Sequence, residues 1–173
     1  MNINKEIRGI KVKKVTRSII FSMFLMVLIS GCSTNVSSKQ GIFQYKGSYV
    51  GDNSAVGNIV KSLPHNTELK QISLQTKKEP YGVTLDYKEI NSTMVEKEMK
   101  KTAIYNSTFI FALIKNVEWV RFRFPGQEYT VTKEKLQKWY GKKFDGMTNE
   151  NDLTKFINDY VKNETEVNEF FKK

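Results

Sequence analysis

The sequence predicts an α+β fold, a two-layer sandwich of about four mostly antiparallel strands in two hairpins, covered by helices on one face. Three observations predict it. Two pairs of short stretches, 71–76 with 83–87 and 117–124 with 129–131, alternate apolar and polar residues with the period of a strand. A run at 93–114 without proline or glycine separates the pairs and reads as a long helix. Further stripes at helical spacing come before and after them. Antiparallel pairs broken by long helices build a sheet with helices over one side.

Taken in order, the domain begins near Ile42. Asp52-Asn53-Ser54 offers helix N-caps, and Val56, Ile59, Val60 and Leu63 fall on one stripe that Pro64 stops. Ile72 and Leu74 point inward from the first strand, with Gln71, Ser73 and Gln75 outward. Lys77-Lys78-Glu79-Pro80-Tyr81-Gly82 turns the chain, and Val83, Leu85 and Tyr87 resume the alternation. Thr93 with Glu96 is a capping-box signature for the long helix, whose buried side is Val95, Met99, Ala103, Phe109, Ile110 and Leu113. Val120, Phe122 and Phe124 then face one way and Trp119, Arg121 and Arg123 the other. Pro125-Gly126 turns the chain into a short returning strand with Tyr129 and Val131. Thr132 caps a short helix carrying Leu136, Trp139 and Tyr140, and Gly141 ends it. A last helix shows Leu153, Phe156, Ile157, Tyr160 and Val161 on one face, extended by Val167, Phe170 and Phe171.

The first 31 residues have a different character. Lys5, Arg8, Lys11, Lys13, Lys14 and Arg17 make a basic head, opposed only by Glu6. An apolar run at 19–29, broken by Ser22, follows. As a helix it spans about 16 Å, short of the ~30 Å hydrocarbon core, so it reads as the h-region of a signal peptide. Ile29-Ser30-Gly31-Cys32 resembles the lipobox of bacterial lipoproteins, with Ile29 where leucine is commoner. That resemblance implies cleavage between Gly31 and Cys32 and a diacylglyceryl group on the Cys32 thiol. Two acyl chains at about 0.8 kcal/mol per buried CH₂ make a durable anchor. The expected organisation is a lipoprotein signal peptide over 1–31, a flexible polar tether over 32–42 and one domain over 43–173. The expected location is the outer face of the cell membrane.

Charge and cysteine use narrow the function. The chain holds 28 basic and 18 acidic residues, a formal +10. The leader takes six of the basic and one of the acidic residues, so the mature part is only +5. Half of the basic excess is therefore targeting signal, and a nucleic-acid partner is not expected. Cys32 is the single cysteine, so the exported domain is held by packing without an internal disulfide. The 12% of Phe, Tyr and Trp supports a packed domain.

Four stretches together resemble the uncharacterised DUF4825 family of bacterial extracytoplasmic domains. They are Tyr49-Val50-Gly51-Asp52-Asn53-Ser54, then 74–82, then Phe111-Ala112-Leu113-Ile114-Lys115-Asn116-Val117, and Tyr129-Thr130 leading into the helix that ends at Gly141. The likeness runs from about Tyr45 to Tyr160. It implies a domain typical of Gram-positive bacteria, found as lipoproteins or attached to membrane regulatory proteins, and brings no activity, catalytic residue or cofactor.

The residues themselves offer little chemistry. His65, the single histidine, follows Pro64 and reads as a solvated loop residue; with one histidine and an acylated cysteine no metal site is expected. Asp152 with Asp159, and Glu164, Glu166 and Glu169, read as solvated helix faces before they read as acid/base pairs. Trp119, Arg121 and Arg123 share one strand face, an arrangement that reads first as a plain polar sheet face with the tryptophan covered by its neighbours, and second as a site for an anionic or aromatic ligand. Tyr49, Asp52, Asn53 and Tyr81 are further candidates for a binding surface, although capping and turn geometry explain the same residues. The leading expectation is a tethered, non-catalytic binding or regulatory module without cofactor, contacting a membrane-protein or cell-wall partner. The alternative is a cell-envelope hydrolase whose active site assembles only in the fold.

Overall fold

Two antiparallel hairpins lie side by side in one open sheet. The structure, a computed structural model, describes residues 41–88, 96–144 and 146–172. Its strands are β1 (Leu69–Gln75), β2 (Gly82–Tyr87), β3 (Trp119–Phe124) and β4 (Gln127–Thr132), in the order β1-β2-β3-β4. The hairpins β1–β2 and β3–β4 are antiparallel, and β2 joins β3 in parallel. Parallel neighbours need a long crossover connection, and here the helix α2 (Glu96–Leu113) supplies it. The sheet is therefore mixed, with two of its three pairings antiparallel.

Among the described residues four shorter α-helices accompany α2: α1 (Asn53–Lys61), α3 (Lys133–Tyr140), α4 (Glu150–Val161) and α5 (Glu164–Phe171). Each of them is capped by a side chain that accepts from an orphan backbone N–H of the first turn. Asp52 accepts from Ala55, Thr132 from Lys135, Asn149 from Asp152 and Asn163 from Glu166. Gly141 closes α3 in the left-handed region (φ 67°), where a side chain would be strained. The Asn163 cap also corrects an expectation: residues 164–171 form a separate helix and do not extend α4. The capping box at Thr93, and Val95 beside it, lie outside the described residues.

The core lies between the sheet and the helices. Val83, Leu85, Val120, Phe122 and Val131 are fully buried on one sheet face, under Ile104, Phe109, Ile110 and Leu113 of α2. A fully buried side chain of this kind contributes about 1.5–3 kcal/mol. α2 packs on β3 and β4 and is flanked by α1, α3, α4 and α5, so its second half is enclosed on every side. Asn106, Ser107 and Thr108 are accordingly buried, where the sequence pattern assigned only an apolar stripe to the interior. A second aromatic cluster ties the C-terminal helices together. Trp139 meets Tyr160 and Phe170 at ring-centroid distances of 5.6 and 5.4 Å, and Tyr140 meets Phe156 at 4.7 Å.

At the N-terminal boundary, Ile42 opens a 3₁₀ turn (Ile42–Tyr45) and is buried, so the folded part takes in the last residue assigned to the tether. Among the described residues no helix is long and apolar enough to cross a membrane.

Candidate functional site

Alternation along four strands sends one set of side chains into the core and the other to the opposite face of the sheet. That opposite face is built in rows across the register. Gln75, Gly82, Trp119 and Thr132 make one row, Ser73, Thr84, Arg121 and Thr130 the next, and Gln71, Asp86, Arg123 and Glu128 the third. Arg123, Glu128, Thr130, Gln71 and Gln75 are exposed, and Trp119, Arg121, Ser73 and Asp86 are half-buried.

Trp119 is held in place from two sides. Its indole Nε1–H donates to the Pro80 carbonyl at 3.0 Å, and its ring lies flat over Gly82. A Cβ at Gly82 would stand 2.0 Å from the indole, so only glycine leaves room for this approach. The Arg121 guanidinium lies 5.3 Å from the Trp119 ring centroid, within cation–π range.

The two arginines do not face the solvent as bare cations. Arg123 Nε donates to Glu128 Oε2 at 3.1 Å, and its Nη1 is 3.5 Å from Asp86 Oδ1. Arg121 Nε is 3.5 Å from Glu128 Oε1 and donates to Thr130 Oγ1 at 3.3 Å. Glu128, with help from Asp86, holds the Arg123 guanidinium above its ordinary pKa. The face is thus an alternating charge lattice with an aromatic shelf at one end. The face presents both signs of charge, each arginine already paired with a carboxylate.

Beside the shelf a cleft of about 430 Å³ is lined by Trp119, Pro80, Glu118, Thr132, Glu134 and Gln137, among others. The peptide bond between Glu79 and Pro80 is cis. Glu118, Glu134 and Gln137 were absent from the sequence-derived set because they come from two elements that only the fold brings together. Glu128 and Asp86 were legible in principle, since each alternates in phase with a polar neighbour of its own strand, Thr130 and Thr84.

The structure separates the remaining sequence candidates from this face. Tyr81 is half-buried against the core, and its carbonyl accepts from the Glu118 N–H at 2.9 Å. Tyr49, Asp52 and Asn53 stand at the entrance to α1, tied to the end of α2 by the Lys115 N–H to Ser48 carbonyl bond and the Val50 N–H to Asn116 Oδ1 bond, both 2.9 Å. Tyr49 is 56% exposed, with Lys115 Nζ 5.5 Å from its ring centroid. Asp52 spends its Oδ1 on the Ala55 N–H. Asn53 lines a separate groove of about 450 Å³ between α1 and β1.

His65 sits in a left-handed turn (φ 62°) with Nδ1 3.9 Å from Glu68 Oε2. The Thr67 hydroxyl, foremost, holds the Glu68 carboxyl below its usual range. Asp152, Asp159, Glu164, Glu166 and Glu169 are all exposed, and their partners are neighbouring caps and lysines. Among the described residues no three His, Cys, Asp or Glu side chains gather as a metal site. Gly31 and Cys32 lie outside the described residues.

The family model described as "Domain of unknown function (DUF4825)" matches residues 42–135, more than half of the chain. The chain belongs to the DUF4825 family. The match takes in α1, the whole sheet and α2, and stops at the start of α3, short of the residue 160 to which the sequence likeness was carried. The open sheet face with Trp119, Arg121, Arg123, Asp86 and Glu128 therefore lies wholly inside the DUF4825 segment, while α4 and α5 lie outside it. No curated protein and no solved structure matches the chain significantly.

Proposed function

We propose that this DUF4825 protein is a lipoprotein of the outer face of a bacterial cell membrane, anchored through Cys32, whose domain is a non-catalytic binding or regulatory module. The open sheet face is its contact surface, and the partner is a membrane protein or a component of the cell wall. The observation that carries this reading is the pinned shelf of Trp119 beside the charge lattice of Arg121, Arg123, Asp86 and Glu128. Such a surface is fixed before it binds, which lowers the ordering cost of association. Aromatic and arginine side chains are also the residues that most often dominate binding energy.

The anchor is supported by the basic head, the apolar run at 19–29 and the Ile29-Ser30-Gly31-Cys32 box. Its test is Cys32→Ser in cells fed labelled palmitate. The expected result is loss of label with release from the membrane or an uncleaved precursor; unchanged label and retention would overturn the anchor. The surface is tested by a photo-crosslinking residue at Thr130 in the full chain, activated on intact cells and read by mass spectrometry. A recurrent envelope partner lost on Trp119→Ala supports the reading. Turnover of a wall fragment by the purified chain with no partner captured would sink it.

A further inference from the structure

Among the described residues, strand β1 is an edge of the sheet. Two hydrogen bonds at the ends of β2 show which of its backbone groups are already used. The Tyr81 carbonyl accepts from Glu118, on the β3 side, and the Lys88 N–H donates to Glu68, on the β1 side, each at 2.9 Å. Backbone direction alternates along a strand, so residues 82, 84 and 86 turn their N–H and C=O toward β1. Their partners Gln75, Ser73 and Gln71 turn inward to meet them. Ile72 and Leu74 consequently point their N–H and C=O away from the sheet, along the free edge.

Unpaired edges are usually guarded by charge. Here the lysines stand outside the paired stretch, with Lys70 in the bulge between Leu69 and Gln71 and Lys77 and Lys78 beyond Thr76. Gln71-Ile72-Ser73-Leu74-Gln75 carries no charge and reads with the same polarity in both directions. Ile72 and Leu74 are half-buried and, with Val56 and Gly57 of α1, line the 450 Å³ groove beside this edge.

We infer that β1 is a homodimer contact: two copies of the chain add β1 to β1, antiparallel, about a two-fold axis through Ser73. Ile72 of each copy then exchanges both backbone hydrogen bonds with Leu74 of the other, and Gln71 stands opposite Gln75. The two four-stranded sheets become one of eight. A second copy is the occupant because the stretch is a palindrome in polarity, so two-fold pairing sets apolar against apolar and amide against amide. The adjacent registers that also satisfy the outward groups centre on Ile72 or Leu74. The first brings Lys70 against Leu74, and the second brings Lys77 against Gln71. The Ser73 register alone keeps every position from 71 to 75 opposite an uncharged residue of its own kind.

The test uses the full chain in the membranes of the cells that make it. At the axis the Ser73 pair is of the non-hydrogen-bonded type, with Cα atoms about 4.5 Å apart, inside the range of about 4.4–6.8 Å that a disulfide spans. Ser73→Cys should give a reductant-sensitive band of twice the chain mass on mild oxidation. The parent, whose single cysteine is Cys32, and Thr130→Cys, on the same face at the far edge, should give none. Ser73→Lys and Ser73→Glu, each extracted alone in detergent, should run as monomers by light scattering, and co-expression of the two should restore the dimer. Absence of a Ser73→Cys band from a variant that accumulates to the parent level overturns the proposal. So does a mixed disulfide with a different protein in place of the doubled chain.

Discussion

The indole of Trp119 lies so close over Gly82 that a methyl group at residue 82 would overlap it, with the nearest indole carbon 2.0 Å away. Gly82→Ala must therefore displace Trp119 or the β2–β3 pairing. Overpacking of this kind costs about 1–3 kcal/mol, which would appear as a lower denaturation midpoint. Trp119→Ala removes the obstacle, so the double variant should be more stable than the sum of the single losses predicts. Additive losses in that cycle would show that the ring does not rest on Gly82.

The buried Ser107 hydroxyl gives a prediction of opposite sign. Ser107 is fully enclosed within α2 and its Oγ has no hydrogen-bond partner among the described residues. Removing an unpaired buried hydroxyl recovers its desolvation cost, and alanine is the better helix former. Ser107→Ala should raise stability by about 0.5–2 kcal/mol, measured by urea denaturation. Its neighbour Thr108 offers the contrast, because its hydroxyl donates to the Ile104 carbonyl at 2.7 Å and accepts from the Tyr140 hydroxyl at 2.8 Å. Thr108→Ala should be destabilising.

What the sequence showed and what it hid divide along local and non-local physics. The Asp52 and Thr132 caps, the Gly141 stop and the alternation in all four strands depend on residues a few positions apart, and they were legible. The burial of Asn106, Ser107 and Thr108 depends on four helices and a sheet closing around α2, and no local pattern announces it. The break at Asn163 was missed because Val167, Phe170 and Phe171 continue the apolar stripe, although asparagine followed by acidic residues is itself a start signal. The site was half legible for the same reason. Trp119, Arg121 and Arg123 declared a common face by period two, but their pairing with Glu128 and Asp86 needed the strand register.

Tyr87 makes stability depend on alkaline pH. Its phenol is buried, stacked on Phe124 at 4.7 Å, and desolvation pushes its pKa up to about 12, opposed by the Asn106 amide that donates to it. The folded value lies above the unfolded value of about 10, so the neutral phenol is favoured by folding. The stabilisation is complete below pH 10 and is lost as pH rises toward 12. Titration of tyrosinate absorbance should show fewer phenols ionising near pH 10 in the folded parent than after unfolding, with Tyr87 ionising toward pH 12, and Tyr87→Phe should flatten that part of the stability profile. A phenol that titrates near pH 10 in the folded protein would contradict its burial.

Asp52 separates capping from binding. Its Oδ1 accepts from the Ala55 N–H at 2.9 Å, which accounts for an acidic residue at this position without any ligand. Asp52→Ala should cost about 0.5–2 kcal/mol by orphaning the first turn of α1, whereas Asp52→Asn keeps the acceptor and should stay close to the parent. The same pair of variants in the Thr130 crosslinking experiment gives the functional answer. If capture of a partner falls for Asp52→Ala only in proportion to lost folded protein, and not at all for Asp52→Asn, the α1 entrance is scaffold and the contact belongs to the sheet face. Loss of capture in Asp52→Asn at full stability would move the contact to Tyr49, Asp52 and Asn53 instead.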